Sequence, residues 1–151
     1  RASDLPYPQR AVRDRRFLYI RNFEPNRWPA GSPTLKSSHG WTYGDIDQSP
    51  SFNYLKKHKS KAAVKKYFLF ATAKKPSEEL YDITIDPQCQ KNLIHNDEYK
   101  AERSRLSKVL TDYLIETEDP RVILETSPWD NYPYYFNNPR GITPFPFVQN
   151  D

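Results

Sequence analysis

The sequence contains no methionine, a single cysteine and only four glycines among its 151 residues. Each shortage closes off a class of chemistry. One cysteine, Cys89, permits neither an internal disulfide nor a cysteine-based zinc site, although it does not fix the compartment. The glycines at 31, 40, 44 and 141 are scattered and form no phosphate-cradling loop, and no G-x-S-x-G elbow occurs. His39, His58 and His95 share no metal-ligand spacing, and Cys89 has no adjacent histidine or second cysteine to activate it. No apolar run approaches the roughly 20 residues that a membrane-spanning helix needs, so no membrane contact is expected. No secretory leader, Asn-x-Ser/Thr acceptor, RNA-recognition signature or internal repeat is visible. The missing initiator methionine reads as the mark of a processed product or a piece of a longer chain.

What is present is proline, aromatic side chains and unevenly placed charge. A mean hydropathy of −0.92 leaves little aliphatic material, so the core must draw on aromatics, which make up 15% of the chain. The length fits one domain. The net charge of +4 conceals an asymmetry: sixteen Lys/Arg against five Asp/Glu up to Lys75, then seven against fourteen. Lys56, Lys57, Lys59, Lys61, Lys65 and Lys66 make one stretch especially basic. Such a stretch suggests an anionic partner, with a plain solvated face as the alternative.

Apolar patterning predicts two strands, Ala11–Arg13 and Phe17–Phe23, around a charged turn at Asp14-Arg15-Arg16. Leu18 and Ile20 fall on one face of the second strand and Phe17, Tyr19 and Arg21 on the other, so both faces should be covered. Residues 24–50 hold four prolines and three glycines and read as a long loop. Helices are predicted over about Ser51–His58, Lys61–Thr72 and Asp97–Glu116, the last with Asn96 as its N-cap. Its apolar stripe of Tyr99, Leu106, Val109, Leu110, Tyr113 and Leu114 reads as a core face. Leu80 to Ile85 reads as a strand stopped by Asp86-Pro87, and Asp119-Pro120 as the end of the long helix. Residues 121–151 are rich in proline and tyrosine and read as an extended tail.

Residues 79–93, ELYDITIDPQCQKNL, carry a more specific signal. Leu-Tyr-Asp, then Asp-Pro, then Asn-Leu at this spacing resembles the ELYDL..DP.E..NL segment near the C-terminus of sulfatases, with Cys89 where that family usually has Glu. QRAVRDRRFLYIRNF resembles the hairpin that opens the same subdomain, and Tyr43 to Pro50 resembles a segment of the heparan N-sulfatase group; Thr117 to Arg121 adds a fourth match. The resemblance implies an α+β fold: a small antiparallel sheet of about four strands packed by a long C-terminal helix, the C-terminal part of an alkaline-phosphatase-like sulfatase fold. It assigns residues 1–120 to that subdomain and leaves 121–151 as the tail. It further implies that a larger N-terminal catalytic domain, absent here, is the partner. There a formylglycine and Ca²⁺ would carry hydrolysis of a sulfate ester or sulfamate on a sulfated carbohydrate.

On that resemblance the chain alone has no catalytic residue, no metal ligand and no activity, and a periplasmic or secreted origin is expected. Tyr7, Arg10, Tyr43, Asp45, Asp47 and Ser49 become candidates for lining the substrate cleft, and Arg10, Arg13 and Arg27 candidates for sulfate contact, since the guanidinium fork pairs with such anions. Packing is the competing role for each, and turn formation or helix capping for Asp45 and Asp47. A different class of function is a stand-alone basic module that binds nucleic acid or acidic glycan through Lys56–Lys66, although nucleic acid lacks any accompanying fold signature. A purely structural protein is the third reading.

Overall fold

The structure, a computed structural model, describes residues 7–34, 36 and 40–124. It divides into two compact units. Residues 8–25 and 76–124 form an α+β unit, while 26–75, together with Tyr7, form a second.

The α+β unit is built on a three-stranded antiparallel sheet in the order β1 (Gln9–Arg13), β2 (Phe17–Asn22), β3 (Glu78–Asp82). The charged turn forms as the sequence suggests. Asp14 Oδ1 accepts from the amides of Arg16 and Phe17 at 2.8 and 2.7 Å, and Arg105 reaches Asp14 Oδ2. Register pairs Tyr19 with Leu80 and Ile20 with Glu79. Phe17, Tyr19 and Leu80 therefore share one face, on which they cluster with Leu93, Ile94, Leu106, Leu110 and Leu114. The other face carries a polar group of buried side chains. Asn22 donates to Glu79 Oε1 at 2.8 Å and to the Pro76 carbonyl at 2.6 Å, and accepts from Gln9 at 2.6 Å; Tyr81 donates to Glu79 Oε2 at 2.5 Å. Those bonds allow the sheet to bury polar groups that would otherwise be costly.

Three strands are present among the described residues, where about four were expected, and β3 stops at Asp82 instead of running on to Ile85. The reason is local. The buried Asp82 carboxylate accepts from the Thr84 amide and hydroxyl at 3.1 and 2.6 Å, and its carbonyl accepts from the amides of Ile85 and Asp86, which turns the chain off the sheet. Ile85 is left 75% exposed.

A 3-10 turn (Asp97–Tyr99) with Asn96 as N-cap leads into the longest helix, which spans Lys100–Glu116. Only its ridge of Leu106, Leu110 and Leu114 is buried; Val109 and Tyr113 are 45% and 61% exposed. The apolar stripe is thus narrower than the sequence suggests, because each of those two residues lies about 100° around the helix from its buried neighbour. At the C-terminus, Glu118 takes a φ of 53°, its amide bonds the Ile115 carbonyl, and the Asp119 amide bonds that of Leu114. This is a Schellman cap with glutamate in the place that glycine favours. Asp119-Pro120 does not simply end the helix: Asp119 caps a further short one, Pro120–Ile123, by accepting from the Arg121 amide at 2.8 Å. The rest of the proposed tail, 125–151, lies outside the described residues.

In the second unit, helices Pro50–Lys57 and Ala62–Thr72 follow the loop. Phe52, Val64, Phe68 and Thr72 are their buried residues, and Tyr43 stands edge-on to Phe52 and Phe68 at 6.0 and 5.8 Å. These elements are named in chain order α1 (Pro50–Lys57), α2 (Ala62–Thr72), α3 (Lys100–Glu116) and α4 (Pro120–Ile123).

Two tests concern the α+β unit. Asn92 Oδ1 accepts from the amides of Leu80 and Ile94 at 2.9 and 3.1 Å. Asn92→Ala should lower urea stability by about 1–3 kcal/mol, and Asn92→Asp, which keeps an acceptor, should cost less; equal losses would remove the side-chain oxygen from the account. The second concerns pH. The Phe17 amide, with the Arg105 guanidinium and the Arg16 amide, holds the Asp14 carboxyl down at about 2, below its ordinary 3.8. Because the folded value is depressed, its stabilisation is complete above the unfolded value and disappears as pH falls through the folded one. The stability gap between wild type and Asp14→Asn should therefore be constant from pH 5 to 7 and close between about pH 4 and 2; a gap unchanged at pH 2 contradicts this.

Candidate functional site

The eight sequence-derived candidates divide between the units. Arg10 and Arg13 lie on β1, while Tyr7, Arg27, Tyr43, Asp45, Asp47 and Ser49 belong to the second unit. Arg10 Nε is bonded to Asp119 Oδ2 at 2.7 Å, and a further guanidinium nitrogen donates to the Gln9 carbonyl. Burial alone would raise the Asp119 carboxyl, but the Arg10 bond and the Arg121 amide prevail and lower it. Arg10 thus ties the first strand to the cap of α4. Arg13 is exposed, and Tyr7 and Arg27 are half-buried.

Tyr43, Asp45, Asp47 and Ser49 are brought together on one loop. The Tyr43 amide bonds the Ser32 carbonyl at 2.9 Å and the Asp45 amide that of Ala30 at 3.2 Å. Gly31, with φ of 84°, lies beneath; a Cβ there would stand 2.9 Å from the Gly44 nitrogen, so the crossing requires glycine. Tyr43 itself has φ of 54°, and burial pushes its hydroxyl pKa up. Its ring is engaged with Phe52 and Phe68. Ser49 is the N-cap of α1, accepting from the Phe52 amide at 3.2 Å, and Asp47 is exposed with its carbonyl on the Ser49 amide. Helix capping here falls to Ser49 and not to the two aspartates.

A polar groove that the sequence reading did not single out lies on the α+β unit. It encloses about 430 Å³ between Glu78 and the α3 residues Arg103, Ser104, Ser107, Lys108, Thr111 and Asp112. Beside it, Arg21 donates to the Ser107 and Thr111 hydroxyls at 3.1 and 2.8 Å, and Tyr19 bonds Glu78. The hydroxyls at 104, 107 and 111 share one helix face at steps of three and four, a pattern visible in the sequence but indistinguishable there from any solvated face. Lys108 pairs with Asp112 at 2.7 Å, so the groove presents hydroxyls and balanced charge.

Among the described residues, no three His, Cys, Asp or Glu side chains are grouped to hold a metal ion. Cys89 sits in the Asp86-Pro87 turn with φ of 53°. Burial, then Asp86 and Glu79, raises its thiol pKa, which opposes thiolate chemistry. Its Pro-Gln-Cys-Gln-Lys context also departs from the C/S-x-P-x-R pattern that the sulfatase resemblance implies for a formylglycine precursor.

Comparison with known proteins adds a direct lead. No family model matches the chain. It is similar to two ulvan-active sulfatases of Formosa agariphila, 30% identical to one over 108 residues and 33% identical to the other over 114. These stretches cover 72% and 73% of this chain but only 17% of each relative. The similarity is therefore to one portion of a sulfatase.

The loop residues should separate by their packing. Tyr43→Ala should cost roughly 3 kcal/mol of stability, followed through Trp28 and Trp41 fluorescence, both in the same unit. Asp47→Asn should stay within about 0.5 kcal/mol. Matching costs would mean that the Tyr43 ring is not what holds this loop.

Proposed function

We propose that this chain is the C-terminal portion of a sulfatase that removes sulfate from a sulfated polysaccharide. The observation that carries the reading is the similarity to two ulvan-active sulfatases along nearly three quarters of the chain. The geometry of residues 79–93 supports it. Leu80, Tyr81, Asp82, Asp86, Asn92 and Leu93 each have a defined part in one strand–turn–helix connection, and these are the positions through which the sequence resembles that family.

In this reading the chain's work is to complete the fold and to wall part of the substrate cleft. The nucleophile, a formylglycine, and the Ca²⁺ that would neutralise sulfate oxygens belong to the larger portion of the protein. Tyr7, Arg10, Arg13, Arg27 and the loop from Tyr43 to Ser49 are the cleft-side candidates. Arg13, exposed on β1, is the freest of these to meet a sulfate. Arg10 would have to leave Asp119 to do so. An exported location suits a polymeric substrate.

The test has two parts. The native protein, sized by intact mass under denaturing conditions, should carry this sequence within a longer polypeptide, and that polypeptide should release inorganic sulfate from ulvan. The 151-residue chain alone should release none. A native polypeptide of only 17.9 kDa, or a longer parent with no sulfate release from any sulfated polysaccharide, would sink the reading.

A further inference from the structure

The charge asymmetry of the sequence falls onto one of the two units. Residues 26–75 hold ten Lys/Arg against two Asp/Glu, whereas 8–25 with 76–124 hold eleven against thirteen. From Gln48 to Ser77 there are eight lysines, no arginine and no carboxylate. With no carboxylate in their own segment, several of these lysines lie over aromatic rings: Lys56 over Phe52 at 4.9 Å, Lys59 over Phe68 at 5.8 Å, Lys66 over Tyr67 at 5.3 Å and Lys74 over Trp28 at 5.1 Å.

Helix α2 also has two stripes. Val64, Phe68 and Thr72 face the interior. Ala63, Lys66, Tyr67 and Phe70, at i, i+3, i+4 and i+7, form a second, exposed one, with Tyr67 53% and Phe70 39% accessible. On α1, Tyr54 is 54% exposed and packs on His58 at 4.4 Å; Lys57, Lys59 and Lys61 follow, all exposed. The His58 pKa is lowered by burial and then by the cations Lys61 and Lys57 beside it.

We propose that the exposed lysines and rings of α1 and α2 bind a sulfated polysaccharide chain, with the ammonium groups on its sulfates and the Tyr54, Tyr67 and Phe70 rings against the apolar faces of its sugars. The choice of polyanion rests on the sulfatase reading. The residues suit it. Lysines are point charges that accept sulfates at varied positions, without the fixed geometry of an arginine fork. Exposed rings give the neutral part of the chain a flat surface to rest on.

The experiment measures binding of the full 151-residue chain to dextran sulfate across a salt series, with uncharged dextran and single-stranded oligo(dT) as comparators. Dextran sulfate should bind at 150 mM salt, dextran should not, and oligo(dT) should bind at least about tenfold more weakly. Lys59→Gln with Lys65→Gln and Lys66→Gln should make the salt dependence shallower by roughly two to three in log–log slope. Tyr67→Ala with Phe70→Ala should cost about tenfold in affinity while leaving that slope unchanged. All five positions are exposed or lie on the outer stripe, so unfolding midpoints should not move, and they serve as the control.

No binding at 150 mM salt overturns the proposal, as does an aromatic pair without effect, which would leave only a screened charge patch. Oligo(dT) binding as tightly as dextran sulfate assigns the face to nucleic acid instead. These outcomes are separable from failure of the sulfatase reading, which is decided by sulfate release from the longer polypeptide and not by binding to this face.

Discussion

Both backbone polar groups of Leu80 are bonded to the segment that follows its own strand: its amide to Asn92 Oδ1 and its carbonyl to the Leu93 amide, at 2.9 and 2.7 Å. The rest of the α+β unit depends on this closure. It seals the outer edge of β3 at its centre, which an unpaired strand would leave open to other chains. It also places Leu93 and Ile94 in the core and sets the start of α3 above the sheet. The excursion between them is held by Asp86, whose carbonyl accepts from the Cys89 amide and whose carboxylate accepts from the Lys91 amide at 2.8 Å. Proline at 87 occupies the second position of that turn, where its fixed φ is an advantage.

Much of this was legible in the sequence because short-range rules govern it. The β1–β2 turn, the Asn96 cap, both helices of the second unit and the long α3 appear within a residue or a few of where the pattern puts them. The misreadings share a cause. Ile83, Thr84 and Ile85 have strand-forming side chains, yet the Asp82 carboxylate offers the backbone a competing turn and wins. Val109 and Tyr113 are apolar at helical spacing, but one sheet face admits only a single ridge of α3. Side-chain partnerships across long separations, such as Arg21 with Ser107 and Thr111 or Asn22 with Glu79, leave no local signature.

The two units satisfy their charges by different chemistry. In the α+β unit, cations meet carboxylates: Arg16 with Asp82, Arg10 with Asp119, and Arg105 with both Asp14 and Glu102. Hydrogen bonds from Thr84, then from Arg16, hold the Asp82 carboxyl below its usual range against the opposing effect of burial. In the second unit lysines rest on rings, an arrangement that leaves their charge unneutralised. A surface of that kind repels its own copies and attracts polyanions, whereas the paired surface of the first unit does neither strongly. One chain with a modest net charge thus presents two electrostatic characters that the total of +4 averages away.

The residues through which this chain resembles sulfatases are nearly all committed within the fold. Leu80 and Leu93 are core, Asp82 ends a strand and holds Arg16, Asp86 closes a turn, Asn92 caps the edge of β3, and Asp119 both starts α4 and anchors Arg10. A string of residues occupied in this way identifies a place in an architecture. That is why the similarity is to one portion of a sulfatase and is carried by residues whose visible roles are structural. The side chains that carry no such structural duty lie elsewhere, on the exposed stripe of α2 and at Arg13 of β1, and there a ligand would find them accessible.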